Sequence, residues 1–341
     1  MSGHPHADNR LGSLRDGLLV LIVCLAAGFA VTRALRQQEQ APEPVRITRP
    51  AMGTLVDVVV PVPRDDPAAR KAAATAANAA LVEVARVDSL FSWQLPPPRQ
   101  MSSREQEQER TDVLEMALEV QRLSGGAFEA RIMPLVELWG FDGEAPAVPP
   151  RAALEALVAE LAALPDPVDA AELESRPDAL HFGAWAKGYA VDRACEVLRT
   201  HGQPAALVNA GGEIRGFGRD WAVGIRHPRL PGAVLARLVP GDLGVATSGD
   251  YEQLFEQDGV RYHHLLDPRD GRPARGCRSV TVLARTCARA DALATAVFVL
   301  GPREGMDLIE RLPGVECLLV DADGELMQSS GLGRFLAQGA T

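Results

Sequence analysis

The apolar positions of this chain change rhythm several times, and each rhythm predicts an element. The run GLLVLIVCLAAGFAV, Gly17 to Val31, is apolar throughout, shorter than the about 20 residues of a spanning helix yet long for a core helix so early in a chain. Arg10 and Arg15 precede it and Arg33 and Arg36 follow, the flanks of an export signal or membrane anchor. An uncleaved anchor is the favoured reading. It makes residues 1–16 a cytoplasmic tail, 17–35 the anchor or signal, 36–45 a linker and 46–341 the globular domain, on the far side of the inner membrane.

The run RQQEQAPEPVRITRP reads as linker, and MGTLVDVVVPV, Met52 to Val62, is a β-branched strand. Asp65, Asp66 and Pro67 open an alanine-rich helix carrying Leu81, Val84, Val87 and Leu90 at helical spacing and ending near Phe91. The segment Gln94–Arg110 is polar and aperiodic, which predicts a solvated loop. A second helix then runs to Leu123, closed by Gly125 and Gly126. The apolar stretch Ala127–Phe141 is either a ligand wall or core. A third helix is expected over Arg151–Leu164.

Beyond Pro177 the rhythm becomes that of strands. Short apolar runs at Ala205–Ala210, Trp221–Ile225, Val234–Val239, Val260–Leu266 and Val280–Ala284 alternate with glycine and proline turns. HFGAWAKGYAVD, His181 to Asp192, reads as a strand delivering backbone to a ligand and then a helix opened by Lys187. A last helix, ARADALATAVFVLG, stops at Gly301 and places Asp291 and Thr295 one turn apart on one face. Both offer hard oxygens of the kind Mg²⁺ prefers, though two oxygens alone equally suit a helix start and a packed threonine.

Composition narrows the classes. With 341 residues, 47% of them hydrophobic, the chain can build a large core. Its 35 basic against 45 acidic residues give a net charge of -10 and no basic stripe, so a nucleic-acid partner has no footprint. The five cysteines have no C-x-x-C spacing, which removes a zinc ribbon or thioredoxin-like motif.

Four motifs occur in order: MGT at Met52; PLVELWGF from Pro134; AKGYAVDRACEVLRTHG…ALVNAGGEIRGFG from Ala186; and GVATSGDYEQLF…RYHHLLDPRDGRP…ADALATAVFVLG from Gly244. Together they resemble the ApbE family of flavin transferases, from about Arg46 to the C-terminus. The resemblance implies a mixed α/β (α+β) fold: a single catalytic domain of mixed sheets and packing helices. It implies transfer of FMN from FAD to a threonine or serine hydroxyl of an acceptor redox protein, with Mg²⁺ at the pyrophosphate and release of AMP.

Carried over by residue, the resemblance implies metal ligands at Asp291, Thr295 and the backbone oxygens of Ala184 and Ala294. It implies FAD contacts at Met52, Trp93, Ala127, Phe128, Glu129, His181, Lys187 and Leu265. His264 would take the hydroxyl proton, with His263 the weaker candidate. The chain departs from the family pattern at His181, where an acid is usual, at Glu129 for aspartate and Arg131 for threonine, and in a shorter 94–110 segment. A histidine in the cleft predicts FAD affinity that varies with pH near the ordinary histidine pKa. A non-catalytic flavin-binding accessory and an FAD pyrophosphatase are the competing functions.

Overall fold

A computed structural model describes residues 43–91, 103–143, 145–164, 169–174 and 179–337. The apolar run Gly17–Val31 and Trp93 lie outside the described residues, and no described helix is long and apolar enough to cross a membrane. The fold is mixed α/β, built on one eight-stranded sheet.

Chain order gives strands β1 (Glu43–Ala51), β2 (Thr54–Val62), β3 (Ala206–Ala210), β4 (Glu213–Phe217), β5 (Val223–Arg226), β6 (Val234–Leu238), β7 (Gly244–Gly249), β8 (Leu254–Gln257), β9 (Val260–His263), β10 (Cys277–Ala284), β11 (Glu316–Asp321) and β12 (Leu326–Gln328). The large sheet runs β1-β2-β3-β4-β7-β10-β11-β12, while β5-β6 and β8-β9 form separate hairpins. Every one of these pairings is antiparallel. The sheets expected to be mixed are antiparallel throughout; in the large sheet β1-β2, β3-β4 and β11-β12 are joined by short turns that reverse the chain, and the other pairs by longer connections.

The helices are α1 (Pro67–Phe91), α2 (Ser103–Leu123), α3 (Met133–Trp139), α4 (Arg151–Ala163), α5 (Ala170–Glu174), α6 (Ala186–Thr200), α7 (Cys287–Leu300) and α8 (Pro302–Glu310), of which α1, α6, α7 and α8 pack on the sheet. The apolar side of β2, with Val56, Val58 and Val60 buried, meets Ala73, Ala77 and Val84 of α1 and Ala190 and Ala194 of α6 in one core. Helix α7 is buried almost all round, from Ala290 through Phe298, which is why its sequence shows little polar face. Met133, Leu135, Val136 and Trp139 form a smaller cluster with Leu154 and Leu266.

Three readings of the sequence need correction. Strand β1 begins at Glu43 and pairs with β2 from Glu43↔Val62 to Ala51↔Thr54, so the sheet starts inside the segment taken for a linker. Residues 103–110 belong to α2 rather than to a loop. Their Glu, Gln and Arg residues are good helix formers whose exposed first turns carry no apolar period, and Glu109 is tied inward by Tyr189 Oη at 2.7 Å and Arg86 Nη2 at 2.6 Å. The stretch before Lys187 is a 3₁₀ turn over Phe182–Ala184, not a strand; only four residues separate His181 from the start of α6 at Ala186, too few for a ladder.

Candidate functional site

Two chambers open at the end of the sheet where these elements converge. The outer one is a cleft of about 830 Å³, lined by the β1–β2 turn at Met52–Thr54, by Asn209, Gly211 and Gly212, by β5 at Gly224–Arg226, and by Tyr251–Gln253. The inner one is a narrow slot of about 70 Å³ walled by Ala127, Phe128, Glu129, Ile132, Val136, Leu265 and Leu266, with Asp291 and Thr295 at one end. His181, Gly183, Lys187, Thr247, Glu252 and His264 line both. These six residues are the neck between the chambers.

Glycine geometry makes the approach of these walls feasible. Gly211 and Gly212 adopt φ of 73° and 123°, values L side chains rarely take, and a Cβ on Gly211 would stand 2.6 Å from Thr54 Oγ1. The tight turn delivers Glu213 into the site. Gly188 lets α6 meet the start of α7: a Cβ there would be 2.4 Å from the Cys287 carbonyl. Its free N–H donates to Asp291 Oδ2 at 3.0 Å.

Asp192 then fixes where α7 begins. Its carboxylate accepts the Cys287 and Ala288 N–H groups, each at 3.0 Å, and pairs with Arg215 at 2.6 Å, so the helix that carries Asp291 and Thr295 is positioned by an acid at its positive end. Thr295 Oγ1 lies 3.4 Å from Ser248 Oγ.

Charge at the neck is lopsided. Lys187 Nζ lies 2.7 Å from Glu213 Oε1 and 3.8 Å from Asp291 Oδ1. Burial alone would lower the ammonium pKa, but Asp291 and Glu213 outweigh it and raise it. Asp291 itself is raised, by burial first and Glu213 next, against the pull of Lys187 and the Gly188 N–H. Glu213 Oε2 is buried with no hydrogen-bond partner. Glu213 and Asp291 thus share one ammonium, and a further cation or a proton would relieve them.

The two neck histidines are held neutral. Burial, helped by Lys187, lowers His181 to about 4 against a small opposing pull from Asp142. Burial, with His263, His181 and Lys187, lowers His264 to about 3. His264 Nδ1 faces the Gln253 carbonyl at 3.4 Å; a carbonyl only accepts, so Nδ1 carries the hydrogen and Nε2 is left as the basic atom. His263, next along, is buried against the Ala274 carbonyl at 2.8 Å and Phe298 and lines neither chamber.

The structure therefore brings Met52, Ala127, Phe128, Glu129, His181, Lys187, His264, Leu265, Asp291 and Thr295 to one two-chambered site, with Ala184 in the 3₁₀ turn at its edge. Ala294 is buried in α7 and lines neither chamber. Glu129 is engaged by Arg131, at 2.9 and 3.1 Å, and by Gln121 at 3.0 Å, so the two departures at 129 and 131 answer each other. Sequence reasoning missed Glu213 and Glu252. The available signal was an acid directly after a Gly-Gly turn, and an acid next to the SGDY turn.

The scaffold thus carries a two-chambered site in which Lys187, Glu252 and two histidines stand at the neck and Glu213 and Asp291 line the inner slot beside it. The chain belongs to the ApbE family, whose model it matches over residues 52–319. It is 33% identical to the FAD:protein FMN transferase of Vibrio cholerae over 88% of this chain and 95% of that one. It is 38% identical to the FAD:protein FMN transferase of Treponema pallidum over 64% of this chain and 67% of the relative. Among solved structures, the ApbE protein of Thermotoga maritima superposes with a TM-score of 0.73 at 29% identity, covering 87% of this chain and all of the other. The Vibrio cholerae flavin transferase ApbE gives 0.66 at 28% identity over 86% of this chain.

Proposed function

We propose that this protein is an Mg²⁺-dependent FAD:protein FMN transferase. It moves FMN from FAD to a serine or threonine hydroxyl of an acceptor redox protein and releases AMP. The observation that carries the reading is the convergence of Lys187 and His264, at the neck between two chambers, with Asp291 and Thr295 in the inner one, in a chain whose relatives bear that name.

The apolar inner slot suits a flat base and the roomier outer cleft suits the larger flavin, which puts the pyrophosphate of a bound dinucleotide across the neck. Lys187, at the start of α6, offers its ammonium and the positive end of that helix to the phosphates. His264 Nε2 is the neutral atom placed to take the hydroxyl proton. His181 contributes a neutral hydrogen-bonding ring where the family usually has an acid.

The donor set fits a hard divalent cation. Among the described residues no group of three or more His, Cys, Asp or Glu could hold a metal by itself, but Mg²⁺ is commonly held by one or two carboxylates with the substrate's phosphates, and the neck has unneutralised carboxylate. Asp291 and Thr295 would hold it, with the Ala184 and Ala294 carbonyls as the remaining candidates. When bound, the ion supplies neutralisation of charge developing on the phosphates.

Incubating the protein with FAD, Mg²⁺ and an acceptor redox domain tests the reading. Covalent flavin fluorescence on the acceptor in a denaturing gel, with AMP release, is expected. AMP and free FMN without label would make it a pyrophosphatase, and bound, intact FAD a flavin-binding accessory. The apolar run Gly17–Val31 with its arginine flanks supports an inner-membrane anchor with the catalytic domain outside the cytoplasm. A reporter active only in the cytoplasm, fused after Thr341, should be silent; full activity would overturn that location.

A further inference from the structure

Among the described residues three buried side-chain atoms meet no hydrogen-bond partner: Trp185 Nε1, His263 Nδ1 and Glu213 Oε2. Trp185 and His263 line neither chamber, whereas Glu213 walls the inner slot. A carboxylate oxygen can only accept, and leaving one buried and unpaired costs more than an ordinary hydrogen bond gains. Glu213 is only 3% exposed, so its missing donor has to come from what fills the slot.

The position of this carboxylate is built into the sheet. Glu213 opens β4 directly after the Gly211–Gly212 turn and pairs with Ala210 of β3, and the Gly212 N–H closes the turn by donating to Asn209 Oδ1 at 3.0 Å. Strand alternation sends Ile214 to the outer cleft and Glu213 to the inner slot. Its Oε1 accepts from Lys187 Nζ at 2.7 Å, which leaves Oε2 for a ligand. The other glutamate of the slot wall, Glu129, is already engaged by Arg131 and Gln121.

The donor that answers Oε2 is a neutral one. Glu213 already shares its charge with Lys187, and a second cation on the same carboxylate would stand close to that ammonium and be repelled by it. With the pyrophosphate across the neck and the adenine in the slot, the group between them is the adenosine ribose. Lys187 lines both chambers, so Glu213, bonded to it, stands at the sugar's end of the slot.

We propose that Glu213 is a specificity-determining residue: Oε1 fixes the Lys187 ammonium beside the phosphates, and Oε2 accepts a hydroxyl hydrogen from the adenosine ribose, so that the site selects a ribonucleotide over its deoxy counterpart. The inference rests on the flavin-transferase reading, with the flavin in the outer cleft. Dinucleotide sites on other folds hold this sugar by a carboxylate in the same way. A site that bonds a hydroxyl rejects the analogue lacking it, because its own buried group is left unpaired.

Binding to the full chain, followed by flavin fluorescence without acceptor, in chelator and again with Mg²⁺, tests this for FAD and its 2′-deoxyadenosine, 3′-deoxyadenosine and hypoxanthine analogues. Wild type should hold at least one deoxy analogue about 10- to 100-fold more weakly than FAD. Glu213→Ala should close that gap, and Glu213→Gln, which keeps the volume, should narrow it. Equal affinity of wild type for FAD and both deoxy analogues, a measurement that needs no variant, overturns the inference and leaves the transferase reading standing. So does a gap that Glu213→Ala leaves intact, a Glu213→Ala defect confined to the Mg²⁺ titrations, which would make Glu213 a metal ligand, or a loss with the hypoxanthine analogue alone, which would assign Oε2 to the base. A wild type that binds no FAD overturns the reading and the inference with it.

Discussion

At the scale of single residues, the sequence displayed the groups whose type announces chemistry. Asp291, Thr295, Lys187 and His264 were legible through the resemblance to the ApbE family, because the motifs that carry it, a four-residue helical spacing, a lysine at a helix start and a His-x-x-Asp-Pro turn, survive in one dimension. Glu213 was not, since its place comes from burial and from pairing with Lys187, which no local pattern encodes. The histidine at 181 was visible, but the burial that pulls its pKa down was not. Because burial lowers it to about 4, the ring should be neutral between pH 6 and 8, where a free histidine, half protonated at about pH 6.5, would titrate. FAD affinity, followed by flavin fluorescence, should therefore be unchanged by His181 ionisation between pH 6 and 8 and should weaken or strengthen only as pH falls toward 4. A transition near pH 6.5 that disappears in His181→Asn would contradict the neutral neck. A second contrast belongs to the same scale. Asp291→Asn keeps the shape but removes a formal charge, so it should lower turnover in a way that excess Mg²⁺ partly restores, whereas His264→Ala should slow transfer by on the order of 10²-fold and be indifferent to added Mg²⁺. Equal full activity of Asp291→Ala in chelator would remove the metal from the proposal.

At the scale of elements, strands and long helices with a clean period were read closely: α1 ends at Phe91 and the strand runs at 206–210, 223–226 and 234–238 fall where alternation placed them. Elements failed where the period was short or one-sided, as in the polar start of α2 and the 3₁₀ turn before α6. What the pattern could not reveal is how α7 is aimed. That depends on Asp192, whose carboxylate closes the first turn of α7 while bound to Arg215. Breaking a buried pair of this kind costs about 3–5 kcal/mol, and the freed N–H groups add to it. Asp192→Ala should therefore lower the thermal midpoint and raise the Mg²⁺ concentration needed for half-maximal turnover, because Asp291 and Thr295 ride on the loosened helix. Scanning calorimetry and a Mg²⁺ titration check the two effects; a lower midpoint with an unchanged Mg²⁺ requirement would separate Asp192 from the site.

At the scale of the whole molecule, the large sheet is a chain of antiparallel neighbours whose first member is supplied by residues the composition had assigned to a linker. Strand β1 is an edge strand paired only with β2, yet its register is continuous over nine residues, from Glu43 to Ala51, and its Val45 is buried in the main core. The family match begins only at residue 52, so that match by itself would leave this strand outside the domain. A protein that starts at Glu43 keeps the whole sheet, and its thermal midpoint should match that of any longer soluble form within about 2 °C, a shift well under the 1 kcal/mol equivalent for a domain of this size. One that starts at Met52 uncovers the edge of β2, loses the burial of Val45 and exposes unpaired backbone, which favours association between copies. It should melt several degrees lower and aggregate on concentration, and because Met52 at the β1–β2 turn lines the outer cleft and donates its N–H to Asp88 at 2.8 Å, it should also bind FAD more weakly. Calorimetry, light scattering and flavin fluorescence on the two truncated proteins decide the matter: indistinguishable behaviour would show that β1 is dispensable and that the domain begins where the family match does.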